Sequence, residues 1–365
     1  MERRIVKAVT AVLLIAFSAF VGCAPAQPEA TMEPIWTPSP TPISTTEPTP
    51  EPFYSKTTGL SFVEEPEYHP ITVMIENSAE ARPQTGLMQA DIIYEAPAEG
   101  GITRFLCLFN DTLPIEVGPV RSTRIYFLRI QREWDSVMVH YGGPSDVGRP
   151  SYVYGEETDN IKVRVDGIKG RWSAYFWRST ERSAPHNVYS DLTLINEELY
   201  DYTPEYRGQF RFDVDVDLTG GESFTEVSLT FQSGDLKHTQ FVYDEETGRL
   251  MRFVGGEPFM VRTVTLDNVG EKQTATEQYS CQNLIVMSTS VYIIQEDSSG
   301  RRMVEMVGSG ACDYFIGGRH FTGTWRRDSL DDATQYLLSD GTPLTLLPGN
   351  TWVAVHPTSG TITIG

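Results

Sequence analysis

The segment GPVRSTR, residues 118–124, brings two arginines and two hydroxyl side chains together in a chain whose formal net charge is −20. Apolar residues at helical spacing follow in residues 126–134, and this pattern predicts a helix that begins at the segment. Ser122 is then the expected N-cap residue. Because the first turn of a helix attracts anions, we expect a negative group near Arg121 and Arg124. This group is either a carboxylate of the protein or a bound phosphate or carboxylate ligand.

Predicted strands lie on both sides of this segment. Gly100 and Gly101 predict a hairpin between two of them, and the alternation of strands with a helix indicates an α/β-type domain with a mixed sheet. Beyond about residue 222, short runs with strand propensity are separated by turns, which predicts a mostly antiparallel β domain. The expected fold class is therefore α+β. The predicted strands around the segment are residues 71–75, 92–95, 103–109 and 136–140.

The N terminus has the features of an exported protein. Three basic residues precede an apolar run that is too short for an ordinary membrane span, so residues 1–22 are predicted to be a signal peptide. The residues before and including Cys23 resemble the lipobox of bacterial lipoproteins, which makes Cys23 the expected lipidation site and the extracytoplasmic face of the cell membrane the expected location. A plain secretory signal with an incidental cysteine is the alternative. The further predicted boundaries are a Pro/Thr-rich tether at 23–52, an N-terminal domain at 53–202, a linker at 203–222 and a C-terminal domain at 223–365.

Charge and cysteine content narrow the possible partners. Loss of residues 1–22 removes three cations and one anion and leaves a net charge of −22, which argues against nucleic acid as a partner.

The three remaining cysteines differ in their surroundings. Cys107, within an apolar strand, is predicted to be a buried thiol, whereas Cys281 and Cys312 can either form a disulfide or stay free. No CxxC pair or metal-ligand spacing is present, so no metal and no cofactor are predicted. The sequence does not indicate an oligomeric state.

Polar side chains are concentrated at the predicted strand ends and loops of the N-terminal part, where functional residues commonly gather. Each of them also has a structural explanation. His140 can hydrogen-bond the turn that follows it, and His186 can cap the segment after it. The candidate ligand-binding residues are Arg104, Arg121, Ser122, Arg124, Arg178 and Asn187, and the candidate catalytic residues are Glu95, Glu99, His140 and His186.

Three functions fit this set of residues. In the first, the arginines bind an anionic cell-wall polymer or glycan fragment. In the second, the protein is a hydrolase or transferase for a phosphate- or carboxylate-bearing substrate, with His140 or His186 as acid-base group and Glu95 or Glu99 as its partner. No nucleophile elbow or metal motif supports this second function. In the third, the β domain docks another envelope protein. The aromatic side chains available for stacking in the first function are Tyr141, Trp172, Phe176 and Trp177.

Six motifs in order resemble those of the YerB-type bacterial lipoproteins. The second half of the chain is similar as well, from Trp325 to Trp352, so that the resemblance covers nearly the whole chain after the predicted signal peptide. It implies a membrane-anchored protein with a family-specific N-terminal domain and a β-rich C-terminal domain. It implies no reaction, because the family is functionally uncharacterised. The six motifs are residues 82–86, 90–95, 99–105, 118–122, His140 with Gly142 and Gly143, and residues 185–187.

Overall fold

A computed structural model describes most of the chain beyond the predicted tether. The predicted signal peptide, the predicted lipidation site Cys23 and residues 23–51 of the tether lie outside the described residues. From Glu51 to Gly365 the chain forms one compact unit. Within the part that is described, no helix is long and apolar enough to cross a membrane. The described residues are 52–155, 162–199, 201–232, 238–295 and 297–365.

Strands dominate the structure, as the sequence predicts. Two α-helices are described, α1 (Ile125–Trp134) and α2 (Leu192–Glu198), together with short 3-10 turns at Ala79–Ala81, Leu87–Gln89, Glu99–Gly101 and Gly170–Tyr175. The strands of the first half are β1 (Phe53–Tyr54), β2 (Ser61–Phe62), β3 (Ile71–Glu76), β4 (Gln84–Thr85), β5 (Ile92–Pro97), β6 (Thr103–Phe109), β7 (Val137–His140), β8 (Arg164–Asp166), β9 (Phe176–Arg178) and β10 (Val188–Ser190). Those of the second half are β11 (Glu222–Ser223), β12 (Glu226–Thr230), β13 (Thr239–Asp244), β14 (Arg249–Val254), β15 (Glu257–Pro258), β16 (Met260–Leu266), β17 (Lys272–Gln278), β18 (Ser280–Cys281), β19 (Asn283–Thr289), β20 (Val291–Ile293), β21 (Arg302–Val304), β22 (Gly308–Ile316), β23 (Arg319–Arg327), β24 (Gln335–Leu338), β25 (Thr351–Pro357) and β26 (Thr361–Ile364).

An eleven-stranded mixed sheet forms the centre of the molecule, in the order β11-β23-β22-β19-β25-β5-β6-β3-β7-β8 with β24 paired to β23. The predicted hairpin is present, since β5 and β6 are antiparallel neighbours. A six-stranded antiparallel sheet has the order β15-β14-β13-β12-β26, with β18 paired to β14. The predicted fold class is confirmed, with a mixed sheet in the N-terminal region and antiparallel sheets in the C-terminal region.

The central strands are apolar at nearly every position because both faces of the sheet are covered. In β3, Ile71, Val73 and Ile75 contribute to a core shared with the six-stranded sheet, whereas Met74 contributes to a core shared with α1. Successive side chains of a strand point to opposite faces, so one run of apolar residues supplies both cores. The sheet therefore separates a layer containing α1 from a layer containing the second sheet.

Strands from both halves of the chain share the central sheet. β5 pairs in parallel with β25, from Ile92 opposite Thr351 to Glu95 opposite Ala354. In a separate three-stranded sheet, β4 of the first half pairs in parallel with β16 of the second. Trp352 of β25 packs against aromatic rings of both halves of the chain. Its ring centroid lies 5.1 Å from that of Phe105, 5.7 Å from that of Phe241 and 5.1 Å from that of Tyr279. The predicted linker at 203–222 stays a prediction as a domain boundary.

The segment 117–124 is extended and is hydrogen-bonded along both of its edges. The amide of Arg121 donates to the carbonyl of Met74 in β3, and the amide of Thr123 donates to the carbonyl of Gly142 after β7. These bonds hold the backbone straight up to Arg124, which is the N-cap residue of α1 and caps it without a side-chain bond. The prediction that Ser122 is the N-cap is therefore wrong, because its backbone belongs to the extended segment.

Gly118 permits the close approach of this segment to β10. A Cβ atom at Gly118 would lie 2.7 Å from the ring of Tyr189 and 2.7 Å from the carbonyl oxygen of Val188. No other residue type fits this position without displacing β10.

The three cysteines after the predicted lipidation site are free and buried. Cys281 lies on β18 of the six-stranded sheet and Cys312 on β22 of the central sheet, so the possible disulfide between them is not formed. Burial raises the pKa of all three thiols, which keeps them protonated.

Replacement of Trp352 by alanine tests how much the packing of this side chain between the two halves of the chain stabilises the fold. Trp352→Ala removes a fully buried ring from the centre of the core and is expected to lower the free energy of unfolding by about 3–5 kcal/mol. Trp177→Ala is the matched control, since Trp177 is 36% exposed and should cost clearly less. Urea denaturation of the two variants measures both changes. Equal losses would contradict a central role for Trp352.

Candidate functional site

Three arginines gather where β3 ends and α1 begins, and we call Arg104, Arg121 and Arg124 the arginine cluster. Arg104 lies on β6 and donates from Nη1 to the carbonyl oxygen of Ser122 at 2.6 Å. Arg124 donates from Nη1 to Oγ of Ser122 at 3.1 Å and to the carbonyl oxygen of Thr123 at 2.7 Å. Sheets that contain parallel strands commonly bind ligands at the carboxyl ends of those strands, beside a helix N-terminus. The cluster lies at such a place, because β3 and β7 are parallel neighbours.

Glu99 neutralises one member of the arginine cluster. It lies in the turn between β5 and β6 and accepts two parallel hydrogen bonds from Arg124, at 2.6 Å from Nε and 2.7 Å from Nη2. Burial alone would raise the pKa of Glu99, but the hydrogen bond and charge of Arg124 and the charge of Arg104 outweigh burial and lower that pKa. The pair is a bidentate Arg–carboxylate contact, which is among the stronger side-chain hydrogen bonds.

Glu76 is the second carboxylate of the site, and sequence analysis missed it. It is the last residue of β3, its side chain is only 2% exposed, and its Oε2 lies 3.1 Å from Nε of Arg121 in an ion pair that is not aligned as a hydrogen bond. Its Oε1 lies 2.8 Å from Nδ1 of His186 and accepts a hydrogen bond from Ser78 at 3.0 Å. The one signal in the sequence is that a charged residue ends an apolar strand.

Arg104 forms no ion pair with a carboxylate in the part of the chain that the structure describes. It is only 6% exposed, and its Nε has no hydrogen-bond partner among the described residues. Burial, followed by repulsion from Arg124, lowers the pKa of Arg104 to about 10. A buried guanidinium whose charge is not fully balanced is costly, and a bound anion would reduce that cost. The cluster thus has three cations and two carboxylates, Glu76 and Glu99.

An open cavity of about 260 Å³ adjoins the cluster and is lined by Ser122, Arg124, residues 143–146 and Arg301. Among the larger cavities, one of about 310 Å³ lies beside residues 77–80, and two of about 570 and 730 Å³ lie in the C-terminal half. The larger of the two is lined by four aspartates and Glu222 without an arginine or lysine, which does not suit an anion, whereas the smaller is lined by three arginines together with three aspartates and Glu205. No group of three or more His, Cys, Asp or Glu side chains could hold a metal ion in the part of the chain that the structure describes.

Glu95 is not brought to the arginine cluster. It is fully buried on the face covered by the six-stranded sheet, where both of its oxygens lie 3.2 Å from Nη2 of Arg252. Thr103 donates to the same carboxylate at 2.5 Å. The guanidinium of Arg252 stacks on the ring of Phe259, 4.0 Å from its centroid. These contacts give Glu95 a structural role between the two sheets.

His140 is also separated from the cluster. It is fully buried, its Nδ1 donates to the carbonyl oxygen of Gly142 at 2.9 Å, and its Nε2 accepts from Arg164 at 3.2 Å. Burial lowers the pKa of His140 to about 4, so the ring is neutral near pH 7. Both ring nitrogens are occupied, so His140 holds the turn after β7 and cannot meet a ligand there.

Arg178 and Asn187 fasten the loop that presents His186. Arg178 donates to Oδ1 of Asn187 at 2.8 Å, and Asn187 donates to the carbonyl oxygens of Ser179 and Arg182 at 2.9 and 3.2 Å. The guanidinium of Arg178 lies over the ring of Tyr141, 5.4 Å from its centroid.

The structure brings most of the ten candidate residues together and leaves two of them elsewhere. Glu95 and His140 are the two that are separated from the site, and Arg178 and Asn187 support its loop. The six residues gathered around the start of α1 are Arg104, Arg121, Ser122, Arg124, Glu99 and His186.

Comparison with known proteins places both halves of the chain in one group of proteins. The model of the N-terminal domain of "Protein of unknown function (DUF3048)" matches residues 57–205, and that of the DUF3048 C-terminal domain matches residues 227–353. The Bacillus subtilis (strain 168) protein named "Putative lipoprotein YerB" is 29% identical over 301 residues, which cover 80% of this chain and 82% of that protein. The crystal structure of YerB from Bacillus subtilis matches with a TM-score of 0.67 at 27% identity, over 85% of this chain and 99% of that chain.

Acid is expected to weaken the pair formed by Glu99 and Arg124. Since the pKa of Glu99 is lowered on folding, the pair contributes stability at neutral pH, and this contribution is lost as the pH falls through the folded-state pKa. Between about pH 6 and about pH 3, the free energy of unfolding should therefore fall more for the parent protein than for Glu99→Gln. Urea denaturation at each pH measures this. Glu205→Gln, at a side chain 65% exposed, is the control and should follow the parent. A Glu99→Gln variant with the parent's pH dependence would contradict the assignment.

Proposed function

Because the chain belongs to the family of YerB-type lipoproteins, we propose that it is anchored at Cys23 on the extracytoplasmic face of the cell membrane and binds an anionic envelope ligand at the arginine cluster. The name of the Bacillus subtilis relative supports a lipoprotein nature. The basic and apolar residues before Cys23 support export and lipidation. A diacyl anchor supplies the two chains that stable attachment to a membrane requires.

The observation that carries the binding proposal is the unbalanced positive charge of the cluster. The chain as a whole has a formal net charge of −20, so it repels anionic polymers over most of its surface. Among the described residues, the carboxylates that meet Arg104, Arg121 and Arg124 at the start of α1 are nevertheless only Glu76 and Glu99. A locally cationic site in an acidic protein suits a ligand that carries its anionic groups at defined positions.

A cell-wall polymer or glycan fragment has the chemistry that this site would recognise. Such molecules carry phosphate or carboxylate groups, which arginine binds through paired hydrogen bonds. Tyr141 and Phe176, whose centroids are 5.7 Å apart, supply aromatic surface near Arg178 for the sugar part. The predicted tether at 23–52 would let the folded unit reach away from the membrane.

Replacement of one cluster arginine tests the proposal, with an arginine from the far end of α1 as control. Arg121→Ala removes a charged donor and is expected to weaken the binding of inorganic phosphate and of wall fragments by about tenfold or more. Arg132→Ala removes the same charge where the guanidinium pairs with Asp331, and should bind like the parent. Isothermal titration of the full chain in detergent measures these affinities.

The control separates a specific site from general electrostatics. Equal weakening by both variants would mean that the ligand senses net charge alone. An Arg121→Ala variant that binds as tightly as the parent would remove the arginine cluster as the site.

A further inference from the structure

We infer that His186 is the acid-base group for hydrolysis of a phosphate ester held by the arginine cluster, and that Glu76 is its positioning residue. This inference rests on the proposed function, because the cluster must first bind the anionic group. It assigns an activity to the site and narrows the ligand to phosphate esters.

The orientation of the His186 ring is the first argument. Its Nδ1 lies 2.8 Å from Oε1 of Glu76, and the side chain is 24% exposed. The bond to Glu76 fixes the tautomer and the ring direction and leaves Nε2 as the nitrogen available to a ligand. A carboxylate at Nδ1 and an available Nε2 form the arrangement by which histidines move protons in many hydrolases.

Glu76 also places this histidine beside an anion-binding group. Its second oxygen lies 3.1 Å from Nε of Arg121, and Nη1 of Arg121 donates to the carbonyl oxygen of Pro185 at 3.3 Å. Pro185 immediately precedes His186, so Arg121 contacts both the carboxylate and the loop that hold the imidazole. An anionic group bound by Arg121 would lie next to the ring.

Phosphate fits the cluster better than a carboxylate does. Arg104 comes from β6, Arg121 from the extended segment and Arg124 from the start of α1, so the guanidinium groups belong to three different elements. A tetrahedral phosphate presents oxygens in several directions, whereas the two oxygens of a carboxylate lie in one plane. Arg104 is close enough to both other arginines for their charges to act on it.

Water is the nucleophile that this geometry favours. Ser78 brings a hydroxyl within 3.3 Å of Nδ1 of the histidine, the nitrogen that already faces Glu76. It therefore cannot pass its proton to Nε2, and it instead donates to Glu76. A water molecule beside Nε2 has no such restriction.

The reaction then balances with water alone. The oxygen of water forms a bond to phosphorus while Nε2 of His186 takes one of its protons. The bond between phosphorus and the ester oxygen breaks, and the imidazolium returns the proton to the leaving alcohol. A diester thus gives a monoester and an alcohol, and the arginines stabilise the negative charge on the transferring phosphoryl group.

The test uses bis(4-nitrophenyl) phosphate as the substrate probe and the full chain in detergent. His186→Gly is expected to lower the rate of nitrophenol release by about a hundredfold or more, and to leave the affinity for inorganic phosphate within about twofold of the parent's. Added imidazole should restore part of the rate by occupying the vacated position. Glu76→Gln should lower kcat more than it changes KM, because the ring loses its orientation.

A second histidine–carboxylate pair provides the matched control. His320 lies 2.8 Å from Asp313 on β22, in the C-terminal half and outside the arginine cluster. His320→Gly should therefore hydrolyse the probe at the parent's rate and should not respond to imidazole.

The outcomes separate this inference from the proposed function. If phosphate binds and Arg121→Ala weakens it, but the parent does not hydrolyse the probe or His186→Gly hydrolyses it equally fast, the activity is refuted and binding stands. A slower His186→Gly that imidazole does not restore, together with weakened phosphate binding, would make His186 a binding residue and refute the activity as well. If phosphate does not bind the parent at all, both proposals fail.

Discussion

The burial of β5 between β6 and β25 is the constraint on which the rest of the structure depends. Every residue of β5 is buried, and its parallel pairing with β25 joins the first half of the chain to the second. Glu95 near its end is fully buried and meets Arg252 of the six-stranded sheet. Since a single buried charge without a partner would be strongly destabilising, this pair requires both sheets to be in place at once. The two halves therefore depend on each other for their polar as well as their apolar contacts.

The arrangement of the arginine cluster follows from the path of the chain between the central sheet and α1. The extended segment 117–124 crosses the ends of β3 and β7 and is hydrogen-bonded to both edges, so that its side chains are fixed before α1 begins. Arg121 turns toward Glu76 and Arg124 toward Glu99, and Arg104 contacts the carbonyl of Ser122 between them. Three positive groups are thus held close together by backbone bonds. Their mutual repulsion is offset only in part by the two carboxylates, and this imbalance gives the site its chemical character.

Sequence patterns predicted the local elements well and named several of the side chains that the structure brings together at the candidate site. The strands β3, β5 and β6 could be predicted because strands buried on both faces are short, nearly continuous apolar runs, and α1 because its apolar residues recur every three to four positions. The concentration of arginines at the helix start was equally visible, and so was the possible role of His186. Ser122 was wrongly predicted to be the N-cap of α1, because serine is a common N-cap residue. In the structure, the long-range backbone hydrogen bonds of its neighbours keep Ser122 in the extended segment. Glu76 was missed because a single charged residue after the first five residues of an apolar strand indicates only where the strand ends.

By itself the sequence determined the α+β class, the main strands of the first half and the arginine-rich start of α1, and it predicted an exported N terminus. Only the tertiary structure decided which carboxylate meets which cation. Arg252 is 157 positions from Glu95, and His186 is 110 positions from Glu76, so neither pair leaves a periodic trace in the chain. Burial decided which candidate residues a ligand can reach, since it placed His140 and Glu95 inside the protein and left His186 partly exposed. Local spacing fixes which element forms, but register and packing between distant strands fix which side chains come together to act.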